Sequence, residues 1–430
     1  MAEEAKGKGG IFYGWWIIVA CFFIYGFHTI LMYGLTIYAP FILPQLGWNR
    51  ADLGTIVSVF MWCALVWGVL AGWFIDRYGP KLSMITGASI GIVGVYLFTT
   101  MTTKGEAYLY LAGIMSLAIM LQGLLPSQTL ARRWFLKHAA LATGILMASF
   151  GLIAAICFPV LMRLANEYDW RTVALYSGIA IEILVILLAL TVVRDNPEKM
   201  GLHMDGMTDE QAAAVQGFIG KTLASEPHMT RVEALKTPQF WIISIGIGLV
   251  GAVFFGFMTH ITMIGLSVGM KPSQSALVMS AFALTSVLGR FGGGWLADKT
   301  GKRRSFIIFG TLSGLAYLYA WLFASSPTQL IIFAGCAGIF FSPVVVIIAP
   351  FMGDMFGRLY LGSILGLVYM VQGIISGIGP FIAGQIAHTT NSYQLLYLLG
   401  ALMNIIFICA VLMTKPTRVE QAMSKPKTTA

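Results

Sequence analysis

Hydrophobic positions fall in long runs separated by short polar turns. Twelve such runs lie near 14–38, 52–74, 82–102, 107–130, 139–162, 172–193, 240–265, 275–297, 305–325, 329–352, 361–387 and 393–414. Each approaches the roughly 20 residues that cross a ~30 Å hydrocarbon core as an α-helix. The longest polar stretch, Arg194 to Lys236, carries Asn196-Pro197 and Glu226-Pro227 and divides the runs six and six. The pattern therefore predicts an all-α membrane protein with a six-helix half over residues 1–193, a linker over 194–238 and a second six-helix half with its tail over 239–430. Arg231 to Lys236 is expected to form a short interfacial helix before Phe240-Trp241 opens the seventh run.

The two halves repeat one phrase. Gly72-Trp73-x-x-Asp76-Arg77-x-Gly79-x-Lys81-x-Ser83 returns 222 positions later as Gly294-Trp295-x-x-Asp298-Lys299-x-Gly301-x-Arg303-x-Ser305. Each copy ends an apolar run and sets a charged, glycine-bearing turn before the next, as expected of pseudo-symmetric halves. A fainter echo links Gly26-Phe27-x-Thr29 and Gly34-Leu35-Thr36 to Gly256-Phe257-x-Thr259 and Gly265-Leu266-Ser267.

Composition agrees with the membrane reading, because 58% of residues are hydrophobic, only 10% are charged, and mean hydropathy is +0.81. That is too little charge to coat a water-soluble surface. The net charge of +9 is explained by its distribution and does not call for a nucleic-acid partner. Of 27 Lys and Arg residues, 21 lie on the side of the N-terminus and 5 on the other, with Arg290 inside a run. This asymmetry places both termini in the cytoplasm of a multi-pass plasma (cell inner) membrane protein. The short charged start leads into a run of full spanning length and is not read as a cleaved signal. Cys21, Cys63, Cys157, Cys336 and Cys409 all fall in apolar runs without C-x-x-C spacing and read as small buried hydrophobes. No H-E-x-x-H, nucleophile elbow or P-loop occurs, so neither an enzyme nor a cofactor or metal site is expected.

Arg290 is the main candidate for substrate. It stands eight positions before Asp298, about 12 Å into the membrane at 1.5 Å per residue. A charge near the centre of a spanning helix costs on the order of 2.5–3.5 kcal/mol on insertion scales. One and two turns earlier stand Ala283, Ser286 and Val287 and no carboxylate, so the guanidinium is left as a forked receptor for a carboxylate or as a charge that snorkels to the interface. Other polar residues fall at similar depths: Tyr369 near 12 Å, Gln122 and Gln372 near 15–17 Å and His28 near 20 Å. His260 is a weaker candidate of the same kind. Glu182 is the one carboxylate deep in a run, either a hydrogen-bonded structural group or a proton carrier; His28 is the other proton-coupling candidate. In the repeated phrase, Asp76 is expected to accept bonds from freed backbone N–H groups or to pair with basic neighbours, while Gly72 and Gly79 permit close packing and a tight turn.

The repeated phrase resembles the loop signature of the major facilitator superfamily between helices two and three, with its weaker copy between helices eight and nine. The resemblance implies the twelve-helix major facilitator fold, a midplane substrate cavity bordered by Arg290, His28, Gln122, Tyr369 and Gln372, and alternating access. It implies a gate latch of Gly72, Asp76, Arg77, Gly79 and Lys81 in one half and Gly294, Asp298, Lys299, Gly301 and Arg303 in the other. Arg133-Trp134-Phe135 with Ala142-Thr143-Gly144, the Thr237-x-x-Phe240-Trp241 entry and the arginine in helix eight resemble the oxalate/formate antiporter and monocarboxylate transporter branch. Two departures matter. Ser286 stands where monocarboxylate transporters commonly carry an aspartate, and Tyr360 to His388 lacks the lysine of oxalate exchangers. The implied function is secondary transport of small monocarboxylates such as lactate, pyruvate or formate, by proton symport. Anion exchange is the alternative, and a non-transporting metabolite receptor a more distant one. Implied partners are the organic anion, a proton and the lipid bilayer, with a monomeric carrier.

Overall fold

The computed structural model describes residues 12–208, 227–357 and 359–414, together with Thr417 and Val419. Twelve helices are long and apolar enough to cross a membrane. They are α1 (Tyr13–Leu46), α2 (Arg50–Tyr78), α3 (Pro80–Thr100), α4 (Lys104–Trp134), α5 (Leu141–Glu167) and α6 (Trp170–Thr191), then α7 (Pro238–Ser267), α8 (Pro272–Thr300), α9 (Lys302–Phe323), α10 (Pro327–Phe356), α11 (Leu361–Thr390) and α12 (Gln394–Met413). No strand occurs among the described residues.

The helices pair identically in the two halves. α1 packs on α5, α2 on α4 and α3 on α6, and six helices later α7 packs on α11, α8 on α10 and α9 on α12. Between halves, α5 packs on α8 and α2 on α11, which are the same contact under the pseudo-two-fold. The side that carries the linker is the linker face; the other is the opposite face.

Three helices are broken where the sequence shows continuous apolar runs. α1 is interrupted at Tyr33 (φ −101°, ψ 11°) and continues past Pro40 and Pro44 to Gly47, whose left-handed φ of 64° ends it. α4 contains a π-helical stretch, Tyr108–Met115, and a break at Gly123 (φ −87°, ψ −117°). α11 breaks at Gly377. In a bilayer such breaks are tolerated where the freed backbone faces protein or a cavity.

The halves meet near the opposite face. A Cβ built on Gly54 of α2 would stand 2.1 Å from the Pro380 carbonyl oxygen of α11, so only glycine allows this approach. Beside it the Phe381 N–H donates to Ser58 Oγ at 2.9 Å, and Thr262 Oγ1 of α7 donates to the Thr36 carbonyl of α1 at 2.8 Å. Above these bonds the Arg50 guanidinium lies 5.6 Å from the Tyr393 ring, and the Tyr393 hydroxyl meets His260 Nδ1 at 3.1 Å. His260 Nε2 faces the Pro380 carbonyl at 3.4 Å. His260 thus ties α7 to Pro380 of α11 and to Tyr393 at the start of α12. Towards the linker face the halves part. The buried residues of α2 lie mostly before residue 61, and those of α11 mostly beyond 375, whereas the linker-side stretches of both helices are exposed. This state is open to the linker face.

The linker is anchored to the first half by Asp205, which adopts φ 54°. Its carboxylate accepts from the backbone N–H of Lys137 at 2.6 Å and of Leu136 at 2.8 Å. Partial burial pushes the Asp205 carboxyl up, but these N–H bonds outweigh it and hold it below the usual carboxylate range. The linkage contribution is therefore present above the ordinary aspartate pKa and is lost as pH falls through the lower folded value. A short helix is present at the expected place, Arg231–Leu235, capped by Thr230 and Glu233.

Two outcomes are expected. Asp205→Asn at neutral pH should lower hydrogen-exchange protection of the Leu136 and Lys137 amides about tenfold, since a charge-assisted acceptor is replaced by a neutral one. Gly54→Ala should prevent the opposite face from closing, read as a shift to shorter distances between spin labels in the α2–α3 and α8–α9 turns; an unchanged distribution would mean the Gly54 contact does not set the state.

Candidate substrate site and gate

Arg290 is placed by α8 at the junction of the halves, where α8 packs against α5. Close approach is secured by Gly151 of α5, whose added Cβ would lie 2.4 Å from the Ala283 carbonyl oxygen, and by Ser280 Oγ donating to the Ala155 carbonyl at 2.9 Å. Arg290 Nη1 donates to the Met147 carbonyl, and the guanidinium lies 5.6 Å from the Phe150 ring centre. The hydroxyls of Tyr25 and Tyr33, both on α1, interact electrostatically with it. Among the described residues no carboxylate pairs with Arg290. Ser286, one turn before it, is turned away, donating to the Ala283 carbonyl at 2.7 Å. The guanidinium is thus met across the junction by one carbonyl and one aromatic face of α5, with the phenols of Tyr25 and Tyr33 near enough to interact electrostatically.

His28 reaches this group indirectly. It is buried and stacks on Tyr25, with ring centroids 5.9 Å apart and planes inclined by 24°. Its ring fills the space at Gly123, where a Cβ would fall 2.6 Å from Nε2, so the α4 break is what admits the imidazole.

The other candidates are not gathered around Arg290. Gln122 is fully buried inside the first half, where its Nε2 donates to Glu182 Oε1 at 3.0 Å. In this state α4 turns this side chain towards Gly87 of α3 and Glu182 of α6. Gly91 of α3 makes room for the carboxyl, since a Cβ there would collide with Glu182 Oε1. Glu182 Oε2 and Gln122 Oε1 have no hydrogen-bond partner. Tyr369 is exposed on the linker-side stretch of α11 and interacts electrostatically with Arg132 of α4. Gln372 is half-buried beside Gly251 of α7, with its Oε1 unpartnered. No hydrogen bond, ion pair or ring contact joins Tyr369 or Gln372 to Arg290 in this state. Sequence reading missed Tyr25, Tyr33 and Phe150.

The repeated phrase forms two matching turns. Gly79 and Gly301 adopt φ 92° and 88°, a region that favours glycine, and each turn is followed by a new helix. Arg77 lies 5.7 Å from the Trp73 ring centre, and Lys299 Nζ lies 4.1 Å from that of Trp295. Lys81 Nζ donates to the Leu190 carbonyl at 3.0 Å, and Arg303 Nη2 to the Val411 carbonyl at 2.9 Å. Each basic residue thus fastens its turn to the last helix of its own half.

Asp76 departs from expectation. It is exposed and accepts no backbone N–H, because it lies at the C-terminal end of α2, where the free groups are carbonyls. The N–H of Lys81, at the start of α3, is capped instead by Asp195 of the linker at 2.9 Å. Asp298 is likewise exposed. A Cβ on Gly72 or Gly294 would meet open space, so neither glycine makes a close contact in this state. Both turns face the open side. Among the described residues no group of three or more His, Cys, Asp or Glu side chains is arranged to hold a metal.

Comparisons with known proteins agree with the fold. The profile described as Major Facilitator Superfamily matches residues 21–271 and 243–429. The chain belongs to the major facilitator superfamily of transporters. It is similar to monocarboxylate transporter 12 of Xenopus laevis, 23% identical over 429 residues covering 97% of this chain and 91% of the relative. The human protein of that name is 23% identical, covering 90% of this chain and 77% of its own. An agnestins efflux protein of Paecilomyces divaricatus is 24% identical over 79% of this chain and 72% of its own. Two solved structures share the fold. The nucleoside transporter NupG has a TM-score of 0.71 at 15% identity, covering 96% of this chain and 100% of NupG. A bacterial homologue of the lysosomal transporter Spinster, in an inward-facing and occupied conformation, has a TM-score of 0.69 at 15% identity, covering 94% and 95%.

Asp76→Asn is expected to slow transport at least severalfold while leaving substrate affinity in the linker-face-open state within about threefold, because the turn makes no contact with the Arg290 site. A large affinity loss with normal turnover would remove Asp76 from the gate.

Proposed function

We propose that the protein is a secondary transporter of small monocarboxylates that works by alternating access, with Arg290 as the carboxylate receptor. The observation that carries this reading is a guanidinium at the junction of the halves with no carboxylate partner among the described residues. A substrate carboxylate supplies the missing charge and accepts two parallel N–H bonds from the fork. Tyr25 and Tyr33 stand ready to donate to the same anion. Since α8 belongs to one half and α1 and α5 to the other, a bound anion draws on both, and the halves rock about it.

The charge split of the sequence assigns the linker face and both termini to the cytoplasm of the cell membrane, so this state opens inward. The carrier operates as a monomer, each half supplying one wall of the site. Symport with a proton is the coupling we favour. His28, stacked on Tyr25, is better placed to carry that proton than Glu182, which is held by Gln122 away from the junction. Ser286 in place of an acidic partner favours the second reading, anion exchange, in which the returning anion neutralises Arg290 and no proton is needed.

Binding to purified protein tests the receptor. Arg290→Lys keeps the charge and loses the planar fork, so affinity for a monocarboxylate should fall on the order of tenfold or more, and Arg290→Ala should abolish binding. Unchanged affinity in Arg290→Lys would refute it. Uptake into proteoliposomes tests the coupling: an inward pH gradient alone should drive accumulation, and His28→Ala should sever flux from pH. Uptake that requires a preloaded anion instead establishes exchange, and binding without any flux establishes a receptor.

A further inference from the structure

Arg50, Tyr393 and His260 form a cluster beneath the closed face. The Arg50 guanidinium of the first half and the His260 imidazole of the second each lie 5.6 Å from the centre of the Tyr393 ring. The Tyr393 hydroxyl is 3.1 Å from Nδ1 of His260, and the Pro380 carbonyl is 3.4 Å from Nε2. A carbonyl can only accept, so Nε2 carries the hydrogen and Nδ1 accepts from the phenol. The neutral imidazole thus uses both ring nitrogens, and it is fully buried. Its cover belongs to the other half: Arg50 lies over Tyr393, and Gly54 of α2 presses on the same Pro380 carbonyl that faces His260.

Nothing here offsets a positive charge on that ring. The other charged or titratable groups at the opposite-face ends of the helices packed against α7 are Asp52 of α2, Lys271 just before α8, His388 of α11 and Tyr397 of α12. Asp52, the one carboxylate among them, pairs with Lys104 at 2.7 Å and accepts from the Asn49 N–H at 2.9 Å. Arg50 therefore acts on the imidazole unopposed. A proton on Nδ1 would set a second cation against the ring that Arg50 already faces, in an interior of low dielectric. Within the second half alone the charged imidazole keeps its bonds, since the phenol can turn to accept from Nδ1–H while Nε2–H stays on Pro380. The proton and the Arg50 cover thus exclude each other. When the halves part at this face, Arg50 and Gly54 withdraw with α2 and water reaches the seam. We propose that His260 is a proton-binding site of the opposite-face gate, and that a proton taken up there from the opposite side holds that face open until it leaves. No part of this depends on Arg290 as receptor or on which group carries a proton with the substrate.

The test needs no substrate. Distances between spin labels on the α1–α2 and α7–α8 turns of the full-length protein in lipid nanodiscs report opening of this face. A hydrated imidazole takes up a proton near pH 6.5, so a site filled only in the open state should raise the ratio of long to short distances about tenfold between pH 7.5 and pH 5.5. His260→Gln can still donate to Pro380 and accept from Tyr393 but does not titrate, and it should remove the response. His28→Ala should keep it. Arg50→Gln removes the repulsion and should reduce the response to less than about twofold; it carries the test should His260→Gln fail to fold. A distribution in wild type that does not change with pH overturns the proposal, as does a response that persists in His260→Gln or is undiminished in Arg50→Gln. Loss of the response in His28→Ala also overturns it, because the proton then acts at the proposed coupling residue and not at the gate; the Arg290 reading stands or falls separately, on the binding measurements.

Discussion

A guanidinium placed among apolar helices must find electron density, and in this protein it finds too little of it. Arg290 has one carbonyl, one aromatic face and two phenols, drawn from the half that does not contain it. A charge so poorly matched in a medium of low dielectric is costly, and the cost falls when an anion arrives. The rest of the architecture keeps that deficit in place. Gly151 lets α5 and α8 approach closely enough for the Met147 carbonyl to be reached, Phe150 shields the guanidinium face, and the interruption of α1 at Tyr33 brings a second phenol alongside.

The same junction explains why binding and movement are joined. Helix pairs within each half are extensive and repeat under the pseudo-two-fold, whereas the halves touch mainly through α5 on α8 and α2 on α11, with a smaller contact of α7 on α1 and α2. At these crossings glycines bring backbone onto backbone, with few interlocking side chains to withdraw, so the halves can roll about them. Arg50, Tyr393 and His260 complete the closed face through one cation-π contact and one hydrogen bond. The repeated turns on the open face keep their basic residues within their own halves and leave Asp76 and Asp298 exposed. Contacts this modest on both faces would suit an equilibrium between two states that differ by a few kcal/mol.

Buried polar groups away from the junction serve a different end. One hydrogen bond joins Gln122 to Glu182 between α4 and α6, and Gly91 gives the carboxyl its space on α3. A polar pair of this kind fixes how three helices rotate relative to one another, because any other rotation would strand both groups in an apolar interior.

Twelve spans, two halves and the two glycine turns were legible in the sequence because a bilayer imposes a length, a composition and a charge bias that short stretches of chain must each obey. Arg290 stood out for the same reason: its depth follows from counting along one helix, and the missing acidic neighbour can be seen in that helix. Depth alone, however, does not say which way a side chain points. Gln122 and His28 lie at comparable depths on neighbouring helices, yet one turns into its own half and the other onto Tyr25. Tyr25, Tyr33 and Phe150 had no mark in apolar runs rich in aromatics. Asp195, not Asp76, caps α3, because the free N–H groups lie beyond the turn and the linker folds back to them. The sequence by itself determined what had to cross the membrane and which charge was out of place; the rotation of each helix, and with it the partners of that charge, was decided only by the packing of the two halves, since those contacts join residues more than a hundred positions apart.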